Sequence, residues 1–272
     1  MLWATQLSLC CTFFSTTEPS KPKILIMKAI ILAAGMGTRL ESVSGGIPKC
    51  MVKVGGVPLI DRMIERIGRT EISEIIVVTG YRADELRAHL ATIDHPLARS
   101  AVLVHNDHYS DMGNFYSLLV AEEANAGSAF IKLDGDVIMD KDVLPRLLAV
   151  AEGPAALAVD CREGMGEEEM KVRVDADGTI LELNKQMEPT LALGEFIGVD
   201  RVSADFAATV FAKLRELIDL GETDEYYERA YERLIQSGSA YQVADITGCQ
   251  WTEIDDAADL EAAQHMQKAM EA

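Results

Sequence analysis

Short apolar runs alternate with amphipathic segments along the first half of the chain. The first run, residues 29–34, has no polar alternation, which is typical of a strand covered on both faces in a parallel sheet. After Pro58, apolar residues recur at three- and four-residue spacing and predict a helix, and residues 74–79 predict the next strand. The helix and strand pair then recurs, with these bounds: 83–90 and 101–105, 114–123 and 129–133, 141–150 and 155–159.

This alternation predicts an α/β fold with a mainly parallel central sheet, right-handed crossovers and helices on both faces. Ligands of such sheets bind at the carboxyl ends of the strands.

The pattern changes after Cys161. Residues 170–174 and 179–183 alternate apolar with polar positions around Asp-Ala-Asp-Gly, which predicts a β-hairpin. We expect the remaining elements at these positions: strands 193–199, 241–244 and 251–254, and helices 204–219, 224–236 and 256–269. We therefore interpret residues 27–272 as one domain, in which about 160–240 form a small insertion of a hairpin and helices.

Charge and cysteine content exclude several classes of protein. The net charge is −19, from 44 acidic and 25 basic residues, and disfavours nucleic acid or an anionic membrane as a partner. The five cysteines are odd in number and include no Cys-x-x-Cys, which argues against a disulfide framework or a zinc site. We therefore expect a cytoplasmic protein.

Residues 1–26 are a leader or tail that we expect to lie outside the fold. They are moderately apolar but lack a basic n-region, and the apolar part is too short to span a bilayer. A poor signal peptide, an organellar leader and an artefact of start-codon choice are the alternatives. We favour the last, because the first strand begins near Met27, and we expect deletion of this segment to leave activity intact.

A glycine-containing loop follows the first strand, in the sequence Leu32-Ala-Ala-Gly-Met-Gly-Thr-Arg-Leu40. Its glycines let the backbone approach a ligand closely, and Thr38, Arg39 and Lys49 supply a hydroxyl and two cations for phosphate oxygens. The spacing fits neither the dinucleotide-binding fingerprint nor the P-loop. An ordinary strand-turn-helix corner is the alternative, but it would require neither Arg39 nor Pro48-Lys49.

Acidic residues at the ends of two predicted strands are candidates for a metal site. Asp134 and Asp136 flank a glycine directly after an apolar strand, where a divalent cation could bridge to triphosphate oxygens. A simple Asp-Gly turn is the alternative for this pair. Asp255 follows another short strand, and on local grounds Asp255 or Asp256 is more simply the N-cap of the last helix.

The glycine loop together with Pro48-Lys49 resembles the nucleotidyltransferase family, whose members join a nucleoside triphosphate to a sugar phosphate or phospho-alcohol. The resemblance covers residues 27–264 and is strongest to bacterial phosphocholine cytidylyltransferases and their relatives for inositol phosphate or phosphonates. It is carried by these further groups: residues 48–52, Asn106, Tyr109, Asn114, residues 170–172, Asn184 and Lys185, residues 195–198, Tyr226 and Tyr227, and the Trp-x-Glu-Ile-Asp ending at Asp255.

The resemblance implies a Rossmann-like nucleotidyltransferase fold and a role for each candidate residue. Arg39 and Lys49 are the implied catalytic residues, and Asp136 and Asp255 the implied Mg²⁺ ligands. Glu253 is two residues from Asp255, so we expect its side chain to point to the same face and to help through a water. The implied nucleotide contacts are Leu32, Ala33, Ala34, Gly35, Gly37, Thr38, Thr79, Gly80, Asn114 and Asp134. The implied acceptor contacts, in the 160–240 part, are Lys185, Glu195 and Tyr226. Asn114 is equally well interpreted as a helix N-cap.

The predicted function is Mg²⁺-dependent transfer of CMP from CTP to a small phosphorylated alcohol or phosphonate, with release of pyrophosphate. A sugar-1-phosphate uridylyl-, guanylyl- or thymidylyltransferase is the first alternative, and a catalytically silent binding protein of the same fold is the second. The one protein partner that we predict is a second copy of this chain, in a homodimer.

Overall fold

The structure is a computed structural model that describes residues 27–40 and 45–271. The prediction for residues 1–26 lies outside these described residues. None of the helices in the described part is both long and apolar enough to cross a membrane.

Four parallel strands form the centre of the main sheet. They are β1 (Met27–Ala33), β4 (Glu74–Thr79), β5 (Val102–His105) and β6 (Ala129–Asp134), in the spatial order β6-β1-β4-β5. A short hairpin of β2 (Lys53–Val54) and β3 (Val57–Pro58) lies between β1 and β4 in the chain. The predicted parallel centre of the sheet is confirmed.

Helices cover both faces of this sheet, as the pattern predicts. They are α1 (Leu59–Gly68), α2 (Ala83–Leu90), α3 (Pro96–Arg99), α4 (Asn114–Val120), α5 (Glu122–Asn125), α6 (Val143–Ala149), α7 (Ala204–Asp219), α8 (Tyr227–Gln236) and α9 (Ala257–Glu271). Side chains of β1 alternate between two apolar cores: Ala29 and Ile31 pack with α1, α2, α3 and α6, whereas Ile30 packs with α4, α7 and α8. A strand buried on both faces explains the uninterrupted apolar run.

The rest of the sheet is joined to this centre through one antiparallel strand. The long strand β11 (Gly194–Val202) pairs antiparallel with β6, with β8 (Ala155–Asp160) and with β9 (Lys171–Val174), and β9 pairs with β10 (Ile180–Asn184) as the predicted hairpin. On its other edge, β8 pairs parallel with β12 (Tyr241–Asp245).

The position of β8 corrects the expectation that this strand extends the parallel centre. The antiparallel β11 lies between β6 and β8: its residues 199–202 pair with β6 on one edge, and the strand pairs with β8 on the other edge, with a register shift between Phe196 and Asp200. Pairing of strands distant in the chain leaves no mark in local periodicity.

A second small sheet brings the end of the chain to the end of β6. It pairs β7 (Val137–Met139) antiparallel with β13 (Trp251–Glu253), and it packs with α9 over a third apolar cluster that contains Leu40 and Ile254.

Predicted and observed bounds differ for several helices. The helix expected over 114–123 divides at Ala121 into α4 and α5, that expected over 141–150 begins at Val143, and that expected over 224–236 begins at Tyr227. Boundaries of this kind depend on tertiary contacts more than on local propensity.

Candidate active site

The loop after β1 leads to the cationic side of a cleft at the carboxyl end of the sheet. Thr38–Leu40 forms a 3-10 turn that carries Arg39, and a second 3-10 turn, Lys49–Met51, carries Lys49. Gly37 adopts a φ of +61°, and a Cβ there would lie 3.2 Å from Cβ of Lys49. The glycine therefore allows the loop to pack directly on the lysine stem.

Asp136 is positioned by a close contact between β1 and the turn after β6. The amide of Gly135 donates to the carbonyl oxygen of Leu32 at 2.9 Å, and a Cβ at Gly135 would lie 2.4 Å from that oxygen. Only glycine fits between the two flanking aspartates.

Asp255 reaches the same place through the small β7–β13 sheet. The amide of Ile254 donates to the carbonyl oxygen of Asp136 at 3.1 Å, which ties the chain just before Asp255 to Asp136. The amide of Asp255 and that of Asp256 both donate to Oδ2 of Asp259. Asp256 accepts hydrogen bonds from the amides of Ala258 and Asp259, so Asp256 is the residue that caps α9. The side chain of Asp255 does not take part in this cap and lies in the cleft.

The predicted cations and carboxylates form one cluster. Lys49 Nζ lies 2.5 Å from Oδ2 of Asp136 and also donates to Oδ1 of Asp255, and Arg39 Nη2 lies 2.7 Å from Oδ2 of Asp255. Burial acts to lower the pKa of Lys49, but the charge of Asp136 and the hydrogen bonds from both carboxylates outweigh it and raise that pKa. Lys49 is therefore a permanent cation in the cleft.

The carboxylates of the cluster have different pKa directions. Burial acts to raise the pKa of Asp255, but hydrogen bonds and charge from Lys49 and Arg39 lower it overall. The pKa of Glu253 is raised to about 8, first by loss of hydration in the cleft and then by the charges of Asp136 and Asp255.

The donor set of this cluster fits a divalent cation. Asp136, Glu253 and Asp255 each offer a carboxylate oxygen, and these oxygens lie within 4.8 Å of one another. Oδ1 of Asp136 is buried and has no hydrogen-bond partner among the described residues. Three hard oxygen donors around one point suit Mg²⁺. Sequence reasoning gave Glu253 a helping role only, whereas the structure brings it into the same cluster as both aspartates.

A cavity of about 180 Å³ lies beside the cluster along the end of β1. Its wall includes most of the predicted nucleotide contacts, together with Tyr109, Met112 and Ser117 from the segment between β5 and the end of α4. The predicted residues on this wall are Leu32, Ala33, Ala34, Gly35, Lys49, Asn114, Asp134 and Asp136. Thr38 is exposed on the loop that carries Arg39.

Thr79 and Gly80 have a different place from the one that the sequence suggested. Thr79 is 1% exposed, and its hydroxyl lies 3.3 Å from both the carbonyl oxygen of Val104 and Nδ1 of His105. A Cβ at Gly80 would lie 2.7 Å from Cβ of Tyr109 and 2.8 Å from the carbonyl oxygen of Ala34. Gly80 is thus required for its close contact with Ala34 and Tyr109, which line the cavity. Thr79 and Gly80 therefore support the cavity wall and are not part of its lining.

Asn114 is the first residue of α4, and the N-cap is Gly113, so the N-cap interpretation of Asn114 is wrong. Its Oδ1 accepts a hydrogen bond from the amide of Tyr227 at 2.9 Å, which fixes the start of α8 to the start of α4. Asn114 nevertheless lines the cavity.

A larger cleft of about 700 Å³ continues from the cluster towards β11 and α8. It contains all three predicted acceptor contacts. Lys185 Nζ lies 5.5 Å from the centre of the Tyr226 ring and 3.6 Å from Oε2 of Glu168. Tyr226 precedes α8 and is 53% exposed. Glu195 is paired with Arg162, a residue that sequence reasoning missed.

Asp134 belongs to a buried network of charged and polar side chains. Lys132 is fully buried, and its Nζ lies 3.0 Å from Asp200 Oδ1, 3.4 Å from Asp134 Oδ1 and 3.7 Å from the centre of the Tyr227 ring. The hydroxyl of Tyr227 donates to Oδ2 of Asp134 at 2.6 Å. Burial raises the pKa of Asp134 to about 6, with Lys132 opposing this and Asp136 adding to it.

The sequence itself contains a signal for this network. Lys132 is the one charged residue inside the apolar run 129–133, and a lysine there requires a buried partner. No comparable local signal points to Arg162.

The cleft lies at the carboxyl ends of parallel strands, and its cations face a cluster of carboxylates. This arrangement suits a nucleoside triphosphate. Fold and cleft together define the class of nucleotidyltransferases. The family model for the MobA-like NTP transferase domain matches residues 29–217, and the chain belongs to this family.

Curated relatives come from several bacteria. The chain is 28% identical over 249 residues to a CMP-5'-(3-aminopropyl)phosphonate synthase from Streptomyces rubellomurinus, covering 89% of this chain and 39% of that protein. It is 41% identical over 109 residues to a choline-phosphate cytidylyltransferase from Streptococcus pneumoniae, covering 40% of this chain and 44% of that protein. The chain thus spans less than half the length of these two relatives.

A third relative matches over nearly its full length. It is a CTP:phosphoglutamine cytidylyltransferase from Campylobacter jejuni, 28% identical over 258 residues, covering 86% of this chain and 98% of that protein. Among solved structures, the CTP:phosphocholine cytidylyltransferase from Streptococcus pneumoniae is similar with a TM-score of 0.74 and 26% identity, covering 89% of this chain and 99% of that one.

Proposed function

We propose that this protein transfers CMP from CTP to a small phosphorylated alcohol or phosphonate and releases pyrophosphate. The observation that carries the proposal is the cluster in which Lys49 and Arg39 meet the carboxylates of Asp136 and Asp255 at the mouth of a base-sized cavity. The choice of CTP is supported by the three relatives described above, which are a CMP-phosphonate synthase and two cytidylyltransferases.

The acceptor's own phosphate or phosphonate oxygen is the nucleophile. It is ionised near neutral pH, so the reaction needs no general base. The oxygen attacks the α-phosphorus of CTP, a new bond forms between them, and the bond from the α-phosphorus to the bridging oxygen breaks to release pyrophosphate. Catalysis then consists of aligning two polyanions and neutralising their charge.

The cations of the cluster exchange partners in this proposal. With phosphates present, Lys49 moves from the two aspartates to the α-phosphate, where charge is shared in the transition state, and Arg39 holds the β- and γ-phosphates with its planar fork. Asp136 and Asp255, with Glu253 beside them, are then free to hold Mg²⁺. A bound Mg²⁺ supplies further neutralisation of phosphate charge.

The larger cleft receives the acceptor. Lys185 binds the acceptor phosphate, and Glu195 and Tyr226 lie farther along the wall for the organic part. The base lies against residues 32–35.

Two steps of measurement test the proposal. Thermal-shift measurements with each common nucleoside triphosphate and MgCl₂ identify the nucleotide, and pyrophosphate release with a panel of phospho-alcohols, phosphonates and sugar 1-phosphates then identifies the acceptor class. We expect CTP to give the largest shift and phospho-alcohols or phosphonates to support turnover. Preference for UTP, GTP or dTTP with a sugar 1-phosphate would support the first alternative, and binding without any turnover the second.

A further inference from the structure

We infer that Ser117, oriented by the buried side chain of Asn106, selects cytosine over uracil in the nucleotide cavity. This inference rests on the proposed use of CTP and adds the residue that reads the base. Ser117 lies in α4, is 6% exposed, and lines the same cavity as residues 32–35.

The position of Ser117 is suited to the base and not to the phosphates. The charged groups on the cavity wall, including Lys49, Asp136 and Glu253, come from the second 3-10 turn, the end of β6 and β13. Ser117 comes instead from α4, which together with the segment after β5 contributes neutral side chains to this wall. A nucleotide whose phosphates lie on Lys49 therefore presents its base to α4.

The hydrogen bonds of Asn106 have a fixed direction. Asn106 is 1% exposed, and its Oδ1 accepts from the backbone amide of His108 at 2.8 Å. A backbone amide can only donate, so this contact identifies the oxygen of the Asn106 amide. The other end is therefore the NH₂ group, and it donates to Oγ of Ser117 at 2.9 Å.

The direction of this chain of hydrogen bonds determines what Ser117 offers to a ligand. Its Oγ accepts from Asn106, so its own hydroxyl proton is available to be donated. No described residue accepts a hydrogen bond from the Ser117 hydroxyl, whose one side-chain hydrogen bond is the one from Asn106. The cavity wall thus presents a hydroxyl donor.

A donor at this place distinguishes the two pyrimidines. N3 of cytosine is a hydrogen-bond acceptor, whereas N3 of uracil carries a proton and is a donor. In the inferred complex the hydroxyl of Ser117 meets N3, where a donor matches cytosine and opposes uracil; at O2 a donor would not separate the two bases, and at position 4 it would favour uracil. Losing or mismatching such a buried hydrogen bond changes affinity by about tenfold.

The test measures equilibrium binding and kcat/KM for CTP and UTP with the full chain and two variants. Ser117→Ala removes the donor, and we expect the CTP to UTP ratio to fall by about tenfold. Asn106→Asp replaces the donating NH₂ by an acceptor, so that Ser117 donates its proton to the new carboxylate and presents only lone pairs to the base. We expect this variant to lower the ratio further and to bind UTP better than the wild type does.

The CTP to UTP ratio separates base selection from damage to the fold. Asn125→Asp is the matched control: Asn125 is also buried, and its Nδ2 donates to the carbonyl oxygen of Ser128, away from the cavity. We expect this control to keep the wild-type ratio. If the wild type prefers CTP and both Ser117→Ala and Asn106→Asp keep its ratio, the inference is wrong and the proposed function stands. If the wild type prefers another triphosphate, the proposed function itself is wrong.

Should Asn106→Asp fail to fold, Ser117→Ala alone decides between these outcomes.

Discussion

Lys49 occupies an unusual position at the scale of single residues, because its ammonium group joins two carboxylates that would otherwise repel each other. Its side chain is 15% exposed, and those of Asp136 and Asp255 are 19% and 28% exposed. Close charge pairs of this kind interact more strongly than pairs in open water. The same cation therefore keeps the aspartates together, and in the proposed function it binds phosphate.

Replacing Lys49 tests its proposed role in the transition state. We expect Lys49→Ala to lower kcat by about two orders of magnitude and to weaken CTP binding far less, because its charge is most needed when the α-phosphate carries shared negative charge. Steady-state kinetics and direct CTP titration measure the two effects separately. Lys53→Ala is the control, since Lys53 is exposed on β2. A defect confined to binding would assign Lys49 to another role.

The carboxylates are tested by neutral substitutions of the same size. We expect Asp136→Asn and Asp255→Asn each to lower Mg²⁺-supported turnover by at least about two orders of magnitude. Asp256→Asn is the matched control, because Asp256 caps α9 and asparagine caps equally well. Pyrophosphate release measured against MgCl₂ concentration checks this. Near-normal turnover in either cleft variant would exclude that residue as a metal ligand.

Individual side chains were predictable from the sequence where a motif fixed both residue type and spacing. Arg39 and Lys49 belong to the glycine and Pro-Lys motif after β1, and Asp136 follows the end of β6; the structure brings them together. Arg162 had no such context, because its pairing with Glu195 joins residues 33 apart through the antiparallel β11.

At the scale of elements, the start of α4 is tightly enclosed by the segment before α8. The amide of Gly113 donates to the carbonyl oxygen of Thr223 at 2.8 Å, and a Cβ at Gly113 would lie 1.9 Å from the carbonyl oxygen of Glu225. The contact places Asn114 at the cavity. It also joins the cleft beside α8 to the cavity beside α4.

We expect Gly113→Ala to lower the free energy of unfolding by about 1–3 kcal/mol, because the added methyl group displaces one of the two segments. Urea denaturation measures the change. Gly35→Ala is the comparison: φ of Gly35 is not positive, and no described atom lies within 4 Å of its added Cβ, so we expect little change in stability but weaker CTP binding. Equal stability of the two variants would contradict the packing argument.

The elements themselves were largely predictable, and their pairing was not. The strand Glu74–Thr79 and the helices Ala83–Leu90 and Ala204–Asp219 have the predicted bounds, because apolar period and flanking residues are local properties. The insertion of β11 between β6 and β8 depends on long-range pairing, which local periodicity does not encode.

At the scale of the whole molecule, a chain of net charge −19 places several acidic groups inside the fold. Asp134, Asp200 and Glu228 surround the single ammonium group of Lys132. The pKa of Glu228 is raised to about 7, first by burial and then by the charge of Asp134.

This shift predicts a pH-dependent gain in stability for Glu228→Gln. The folded-state pKa of Glu228 exceeds its ordinary value of 4.5, so the folded protein binds more protons than the unfolded chain between 4.5 and about 7. The wild-type protein therefore loses stability as the pH rises through this window. A glutamine at this position does not titrate, so the variant does not have this loss. We expect the stability difference, variant minus wild type, to increase from about pH 5 to about pH 8.

Urea denaturation of both proteins across this pH range gives the difference directly. Glu123→Gln, at an exposed position of α5, should show a difference that does not change with pH. A flat or falling difference for Glu228→Gln would contradict the burial of an ionisable group there.

The central claim is that this protein makes a cytidylyl compound from CTP. The most direct measurement is ³¹P NMR of the purified protein with MgCl₂, one nucleoside triphosphate at a time and the panel of phosphorylated acceptors. The account predicts that CTP with a phospho-alcohol or phosphonate yields pyrophosphate and a CMP-linked product in equal amounts. Product formation with UTP, GTP or dTTP and a sugar 1-phosphate in preference to CTP, or no product with any pair, would contradict it.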